Sequence, residues 1–317
     1  MLPTITIIVP TRPGQEEIPA LSASRHLDYP AQKIELLVAR GNQPAVQRNH
    51  ALRVAQGELI YFLDDDSRPL PGNLRRAVAH FAKEAVQMVG GPNVCPAEAP
   101  LIEQVFAVVL SSWLAFGPSR ARYASLGQAR NTTEKELILC NLLARRDSIS
   151  QLGGFNESLY PNEENALMDE LQKRGGTLVY DPDLIVYRRP RGTLKAFLKM
   201  LLNYGRGRAE QFRLHPTLGS ALNFVPPAFC AYLLLAPFLG ERGLLPLSLY
   251  GVALLAQTAV AALRHGVFRA VLAVPLIVVT HIFYGLGFWW GLFTRPKATK
   301  ASSMNVQVER IELCGKS

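Results

Sequence analysis

The sequence predicts an α/β fold, a doubly wound and mostly parallel sheet, followed by transmembrane helices. Three observations carry this expectation. Apolar, largely β-branched runs at Ile5–Val9, Ile34–Ala39 and Leu59–Leu63 alternate with segments of helical pattern, the order expected of a doubly wound domain. The third run shows no polar alternation, as befits a strand buried on both faces, and it runs straight into Asp64-Asp65-Asp66. Beyond Arg213 come three stretches free of Asp, Glu, Lys and Arg: 27 residues before Glu241, 21 between Arg242 and Arg264, and 25 between Arg269 and Arg295. Each is long enough to cross a bilayer.

Taken in order, Ile5–Val9 is closed by Pro10, and Thr11-Arg12-Pro13-Gly14 reads as a loop. A weak helical pattern over 16–27 precedes the second strand. Pro44–Gln56 is amphipathic and ends at Gly57, and a further helix is expected at Leu74–Lys83. Residues 101–117 are strongly apolar but contain Glu103 and Gln104 and stop at Gly117-Pro118, so an interfacial or buried helix is expected there, not a span. The polar, basic stretch 119–136 reads as a loop, and Leu137–Ala144 as a buried segment. Glu163 and Glu164 open a helix that runs through Lys173, where the macrodipole alone accounts for acids in the first turn. Between Arg188 and Arg213 there are eight Lys or Arg residues and one acid, Glu210. Leu194, Phe197, Leu198, Leu201 and Leu202 recur there at helical spacing, with Lys195, Lys199 and Asn203 on another face. Such a helix suits either an anionic membrane surface or an ordinary protein core. In the third uncharged stretch Trp289 and Trp290 sit near one end as interface anchors, and His281 inside it reads as a helix–helix hydrogen bond. The resulting division is 1–192 for the sheet domain, 193–221 for an amphipathic interfacial segment, 222–294 for about three spans and 295–317 for a polar tail, strand-like at Val306–Leu313.

Composition narrows the function classes. Across 317 residues the chain is 49% hydrophobic with a net charge of +9, a sequence pI near 9.5 and a mean hydropathy of +0.10. A basic balance invites anionic partners, but eight of the cations border apolar spans, which favours anionic lipid over nucleic acid. The four cysteines lack zinc or disulfide spacing, and no secretory signal pattern is expected at the N-terminus. Three adjacent carboxylates at the carboxyl end of a buried strand are either a solvated turn or half of a cation site completed by an anionic ligand.

The order of these motifs resembles the membrane-attached family 2 glycosyltransferases, and more narrowly the succinoglycan-type enzymes of exopolysaccharide biosynthesis. The resemblance covers roughly residues 4–215. Ile7-Ile8-Val9-Pro10-Thr11 is similar to the family's first nucleotide-binding strand, and Arg48-Asn49 with Ala55-Gln56-Gly57-Glu58 matches the stretch before its DxD motif, which falls on Asp64 and Asp66. Gly153-Gly154-Phe155-Asn156-Glu157 resembles the segment that introduces the acceptor side. The family's Glu-Asp pair falls on Glu163-Glu164, and Tyr204-Gly205-Arg206-Gly207-Arg208 sits where relatives contact the donor diphosphate. The second strand departs from the family: it ends in Val38-Ala39-Arg40-Gly41, where acids commonly read the base.

The resemblance implies a GT-A-like fold and an inverting, metal-dependent transfer from a nucleotide-diphosphate sugar to a lipid-linked acceptor. Asp66, with Asp64, would hold Mg²⁺ or Mn²⁺. Pro10, Thr11, Arg12, Arg48, Asp64, Asp65, Arg206 and Arg208 would bind the donor, and Glu164 (or Glu163) would be the base. Two alternatives stay open: a polyprenyl-phosphate sugar synthase, for which Glu164 is dispensable, and a non-catalytic membrane protein that binds a nucleotide. The expected location is the inner, cytoplasmic membrane, multi-pass, with the sheet domain facing the cytoplasm. Three full crossings, which leave the tail with Cys314 on the far side, are expected over the alternative of a re-entrant third segment, eased by Gly285, Gly287 and Gly291, that would return the tail to the cytoplasm.

Overall fold

A computed structural model describes residues 1–159, 162–214, 216, 218–294 and 305–312. The chain divides into two compact units. Residues 1–94, 121–188 and 298–317 build a sheet unit, and residues 95–120 and 189–297 build a helical unit. The strands are β1 (Ile5–Thr11), β2 (Ile34–Arg40), β3 (Leu59–Leu63), β4 (Arg68–Pro69), β5 (Val86–Gly90), β6 (Asn93–Val94), β7 (Arg130–Thr132), β8 (Asn141–Arg145), β9 (Thr177–Tyr180), β10 (Val186–Tyr187) and β11 (Gln307–Ile311). The α-helices are α1 (Pro19–Ser24), α2 (Pro44–Val54), α3 (Asn73–His80), α4 (Leu101–Leu110), α5 (Trp113–Phe116), α6 (Arg146–Gln151), α7 (Glu163–Lys173), α8 (Leu194–Leu214), α9 (Val225–Leu235), α10 (Leu245–His265) and α11 (Val267–Phe293).

The main sheet has the order β11-β2-β1-β3-β8-β5-β9-β7, and β4, β10 and β6 form a small second sheet. β1 pairs in parallel with β2 on one side and β3 on the other. Its strands read as apolar runs because both faces are covered. Ile8, Leu37, Ile60 and Phe62 enter one core, and Ile7, Val9, Leu36, Val38, Tyr61 and Leu63 enter the other. Each such side chain contributes about 1.5–3 kcal/mol when fully buried. With β1 central, strand order reverses between β1 and β3, and the crevice beyond their carboxyl ends is where open α/β sheets take ligands.

Three expectations are revised. The apolar stretch 101–117 is not one helix: α4 and the segment from Trp113 to Arg122 meet at a bend of 61°. Ser112 starts the second piece by accepting a hydrogen bond from the Ala115 amide at 3.2 Å, an N-cap that satisfies an orphan donor. The expected loop 119–136 contains the edge strand β7, antiparallel to β9. Most consequentially, the tail does not stand apart. β11 pairs antiparallel with β2, Gln307 opposite Arg40 and Ile311 opposite Leu36, and a tail across a membrane from the sheet cannot do this. Cys314 and the basic residues Arg295, Lys297 and Lys300 lie outside the described residues.

Within the helical unit, α8 and α11 touch backbone to backbone. A Cβ on Gly205 would meet the Tyr284 carbonyl oxygen at 2.0 Å, and one on Gly287 the Leu202 carbonyl oxygen at 2.1 Å, so only glycine fits. His281 is bound on both ring nitrogens, by the Tyr250 hydroxyl at 2.8 Å and the Leu114 carbonyl at 2.9 Å, as its place in an apolar helix requires.

Candidate active site

The buried strand β3 ends at Leu63, and the next three residues turn away from the sheet with their side chains alternating. Asp64 and Asp66 share one cation: the Arg188 guanidinium reaches Asp64 Oδ2 at 3.2 Å through Nη2 and Asp66 Oδ1 at 2.6 Å through Nε. Asp65 points elsewhere and accepts from Gln15 Nε2 at 2.7 Å. This is the two-fold alternation of an extended segment.

A second guanidinium ties the triplet to α7. Arg48, on α2, donates to Asp64 Oδ1 at 2.8 Å and to Glu163 Oε1 at 3.3 Å. The two residues lie 115 positions apart, and Arg48 and Glu163 are almost wholly buried, at 4% and 3% exposure. Burial pushes the Glu163 carboxyl above its ordinary range and the charge of Glu164 adds to this, while Arg48 pulls the other way. At Arg188, burial opposes the charge, but Asp64 and Asp66 outweigh it and hold the guanidinium firmly protonated. Glu164 is only half-buried, so of the acidic pair it is the member open to a substrate.

The first turn of α7 is set by an unusual backbone. Asn162 has φ 109°, the one positive φ at a non-glycine among the described residues, a strained conformation that persists only where its surroundings fix it. Asn165 donates to its side chain at 2.8 Å, and Arg122 holds Asn165 at 2.6 Å. The segment Gly153–Glu157 is clamped to α2 by Asn49, which accepts from the Phe155 amide at 2.8 Å and donates to its carbonyl at 2.9 Å and to Glu157 at 2.9 Å. Gly154 permits this with φ +84°, since a Cβ there would come within 2.5 Å of Asn49 Oδ1.

The structure thus brings Arg48, Asp64, Asp66 and Glu163 together. Pro10 and Thr11 end β1 beside β3, and the buried Thr11 hydroxyl has no hydrogen-bond partner among the described residues. Arg12, in the loop that follows, is exposed. Arg206 and Arg208 belong to the helical unit, where Arg206 faces Glu210 at 3.5 Å and Arg208 donates to Gln211 at 3.2 Å. At the end of β2, where the resemblance led to the expectation of an acid, stands Arg40, which binds Glu309 of β11 at 2.9 Å and the Gln15 carbonyl at 2.8 Å. The residue that sequence reading missed is Arg188. It is 122 positions from Asp66, and its only local signal is its place directly after the apolar end of β10.

No group of three or more His, Cys, Asp or Glu side chains is arranged to hold a metal among the described residues. The donor set nonetheless fits a divalent cation. Mg²⁺ is typically held by one or two carboxylates plus substrate phosphates, and Asp64 and Asp66 converge here on a shared positive charge, with the Asp66 side chain 46% exposed.

Residues 23–153 match the family model for glycosyl transferase family 2. The chain is 26% identical over 204 residues to the pre-mycofactocin glycosyltransferase of Mycobacterium tuberculosis, covering 61% of this chain but only 40% of that relative's length. It is 23% identical over 312 residues to the succinoglycan biosynthesis protein ExoA of Rhizobium meliloti, covering 86% of this chain and 92% of ExoA. The mannosyltransferase PcManGT of Pyrobaculum calidifontis, solved with GDP-Man and Mn²⁺, superposes with a TM-score of 0.56 at 18% identity over 89% of this chain and 87% of its own. Sheet order and the structural match agree on a GT-A-like fold, and residues 23–153 are similar to the glycosyl transferase family 2 model.

Proposed function

We propose that the protein transfers a sugar, with inversion at the anomeric carbon, from a nucleotide-diphosphate donor to a lipid-linked acceptor at a membrane surface. The observation that carries the reading is Arg48, whose guanidinium joins Asp64 on the donor side to Glu163 on the acceptor side. Donor and acceptor carboxylates are thereby fixed relative to each other at the switch point of the sheet.

Each residue then has a stated task. Thr11, at the end of β1, offers its unpartnered hydroxyl to the nucleotide. Asp66 and Asp64 would hold Mg²⁺ or Mn²⁺, which when bound neutralises the departing diphosphate. Arg188 moves from the two aspartates to phosphate oxygens, a charge-assisted contact of the stronger kind. Arg206 and Arg208 are the other candidates for that contact. Glu164 accepts the proton of the acceptor hydroxyl, and Glu163 holds Arg48 in place. A single base with no separate nucleophile means direct displacement, hence inversion. Support for a lipid-linked acceptor is the helical unit itself, with three segments long and apolar enough to cross a bilayer.

The test is a screen of purified protein against a panel of nucleotide sugars with Mg²⁺, Mn²⁺ or chelator. Hydrolysis of one donor, lost with chelator, is expected. Turnover unaffected by chelator would refute the cation assignment, and no turnover of any donor with a lipid extract supplied as acceptor would refute the reading. Transfer that survives Glu164→Gln would instead identify the acceptor as a lipid phosphate, already ionised and needing no base.

A further inference from the structure

Within the sheet unit, the small second sheet ends where the aspartate turn begins. β10 pairs antiparallel with β4, Tyr187 opposite Arg68 and Val186 opposite Pro69, and parallel with β6. The next amide along, that of Arg188, donates to the Val94 carbonyl at 3.0 Å. Just before β4, the Ser67 amide donates to the Asp64 carbonyl at 3.1 Å and closes a turn over the triplet, with Ser67 itself fully buried. Backbone pairing thus fixes the point from which Arg188 reaches Asp64 and Asp66, and leaves its side chain as the part that can move.

That side chain takes one oxygen from each acid, Asp64 Oδ2 at 3.2 Å and Asp66 Oδ1 at 2.6 Å. Arg48 holds the other Asp64 oxygen, Oδ1, at 2.8 Å. Both Asp64 oxygens therefore face a guanidinium. A divalent cation binds through the same carboxylate oxygens, and two guanidiniums repel it, so one of the arginines has to give way. Arg48 is the wrong one. It is shared with Glu163, their side chains are 5% and 4% exposed, and withdrawing one member of a buried pair strands the charge of the other. Arg188 lies closer to solvent, with 23% of its side chain exposed against 46% for Asp66. Charge says what it needs in exchange. A divalent cation alone adds two positive charges beside two guanidiniums. A cation accompanied by a doubly ionised diphosphate adds none, and the diphosphate offers Arg188 new charge-assisted hydrogen bonds.

We propose that Arg188 is a built-in counter-ion that competes with the divalent cation for Asp64 and Asp66, and that the donor diphosphate draws it off. Cation and donor then bind as a cooperative pair, and the cation alone binds weakly. The coupling is reciprocal: by whatever factor the diphosphate strengthens cation binding, the cation strengthens diphosphate binding. Arg188 is the residue that carries this coupling. Without it, Asp64 and Asp66 are two neighbouring carboxylates that lack their shared counter-charge, and the cation alone becomes the group that satisfies them. The competition also separates the tasks of the two arginines. Arg48 holds Asp64 and Glu163 in register whether or not a ligand is present, whereas Arg188 changes partner with the ligand.

This inference rests on the reading that Asp64 and Asp66 hold the cation, and the test separates the two. The full chain, stripped with chelator and then freed of it, is titrated with Mn²⁺ alone, and the free ion is followed by electron paramagnetic resonance. Arg188→Gln should bind Mn²⁺ tighter than the unaltered protein by about tenfold or more, the worth of a lost charge-assisted hydrogen bond. Adding Asp66→Asn should abolish that binding. Arg188→Lys keeps the charge but not the guanidinium fork, so it should fall between the two, and it carries the comparison if Arg188→Gln does not fold. In chelator Arg188→Gln should melt below the unaltered protein, and Mn²⁺ should raise its melting temperature by more. A merely structural arginine gives the opposite sign, since its loss would loosen the carboxylates and weaken Mn²⁺ binding. Equal or weaker binding in the Arg188 variants, with binding to the unaltered protein dependent on Asp66, overturns this inference and leaves the cation reading standing. Mn²⁺ bound by none of these proteins, or bound regardless of Asp66, overturns both.

Discussion

Two ionic clusters of the sheet unit are built from the same parts and differ in completeness. In one, Asp181 is buried to 1% exposure and has both oxygens satisfied. Oδ2 accepts from Arg76 Nε at 2.8 Å and His80 Nε2 at 2.7 Å, and Oδ1 from the Asp183 amide at 3.1 Å. Although burial works against ionisation, Arg76 and His80 outweigh it and hold this carboxyl below its ordinary range. In the other, Asp64, Asp66 and Glu163 share Arg48 and Arg188, three acids to two guanidiniums. Arg48 Nε has no partner among the described residues, and Glu163 is pushed up, not down. A cluster that exists to stabilise the fold is satisfied. The cluster proposed to bind a ligand has fewer guanidiniums than carboxylates, as a site that a ligand completes would.

The comparison predicts that damage to the incomplete cluster removes function and spares the fold. Asp66→Asn should abolish cation-supported donor turnover with an unchanged melting temperature; parallel loss of both would place Asp66 with the stabilising cluster. Glu164→Gln should lower transfer to a hydroxyl acceptor by ~10²–10⁴-fold, the usual worth of a general base, while donor binding by calorimetry stays as it was. A larger loss from Glu163→Gln would mean that the base is the buried member.

Asp181→Asn should do the opposite. Losing a charged hydrogen bond to half-exposed Arg76 costs about 1.5–3 kcal/mol, read by denaturant unfolding, with the donor KM unmoved. The two clusters also have opposite pH signs. Asp181, depressed when folded, contributes stability above its unfolded pKa and loses it as pH falls through the lower folded value. Glu163, raised when folded, takes up a proton on folding, so it subtracts stability as pH climbs from the ordinary carboxylate range to its raised value. Asp181→Asn should flatten the acid side of the stability curve, and Glu163→Gln the side above it. An unchanged profile in either variant removes that assignment. The smallest effect should be that of Asp65→Asn, whose partner Gln15 can donate equally to an amide oxygen; a loss there equal to that of Asp66→Asn would break the alternation on which the site is built.

Much of this was legible because it is local. The apolar runs that end at Pro10 and Leu63, the Asp triplet and the acids that open α7 are patterns within a few residues, set by burial on two faces and by the helix dipole. What escaped is long-range. Nothing near Arg188 announces that it bridges Asp64 and Asp66, and β8 enters the sheet antiparallel between β3 and β5 with no sign in its own five residues. The break after Leu110 did have a local cause in the Ser112 cap, but hydrophobicity obscured it. The alternation near Val306 was visible as strand-like, yet its partner lies 269 positions upstream, where Arg40 meets Glu309.

That pairing bears on the order in which the protein is made. β2 leaves the ribosome before the apolar helices and β11 after them. Throughout synthesis β2 is an open edge of the sheet, a template for unwanted pairing. Glu35 awaits Arg310 and Arg40 awaits Glu309 until β11 emerges. A nascent chain cut short anywhere after α11 would carry the whole site and still present that edge to its neighbours. Completion of the sheet thus waits until every apolar helix between β2 and β11 has been made.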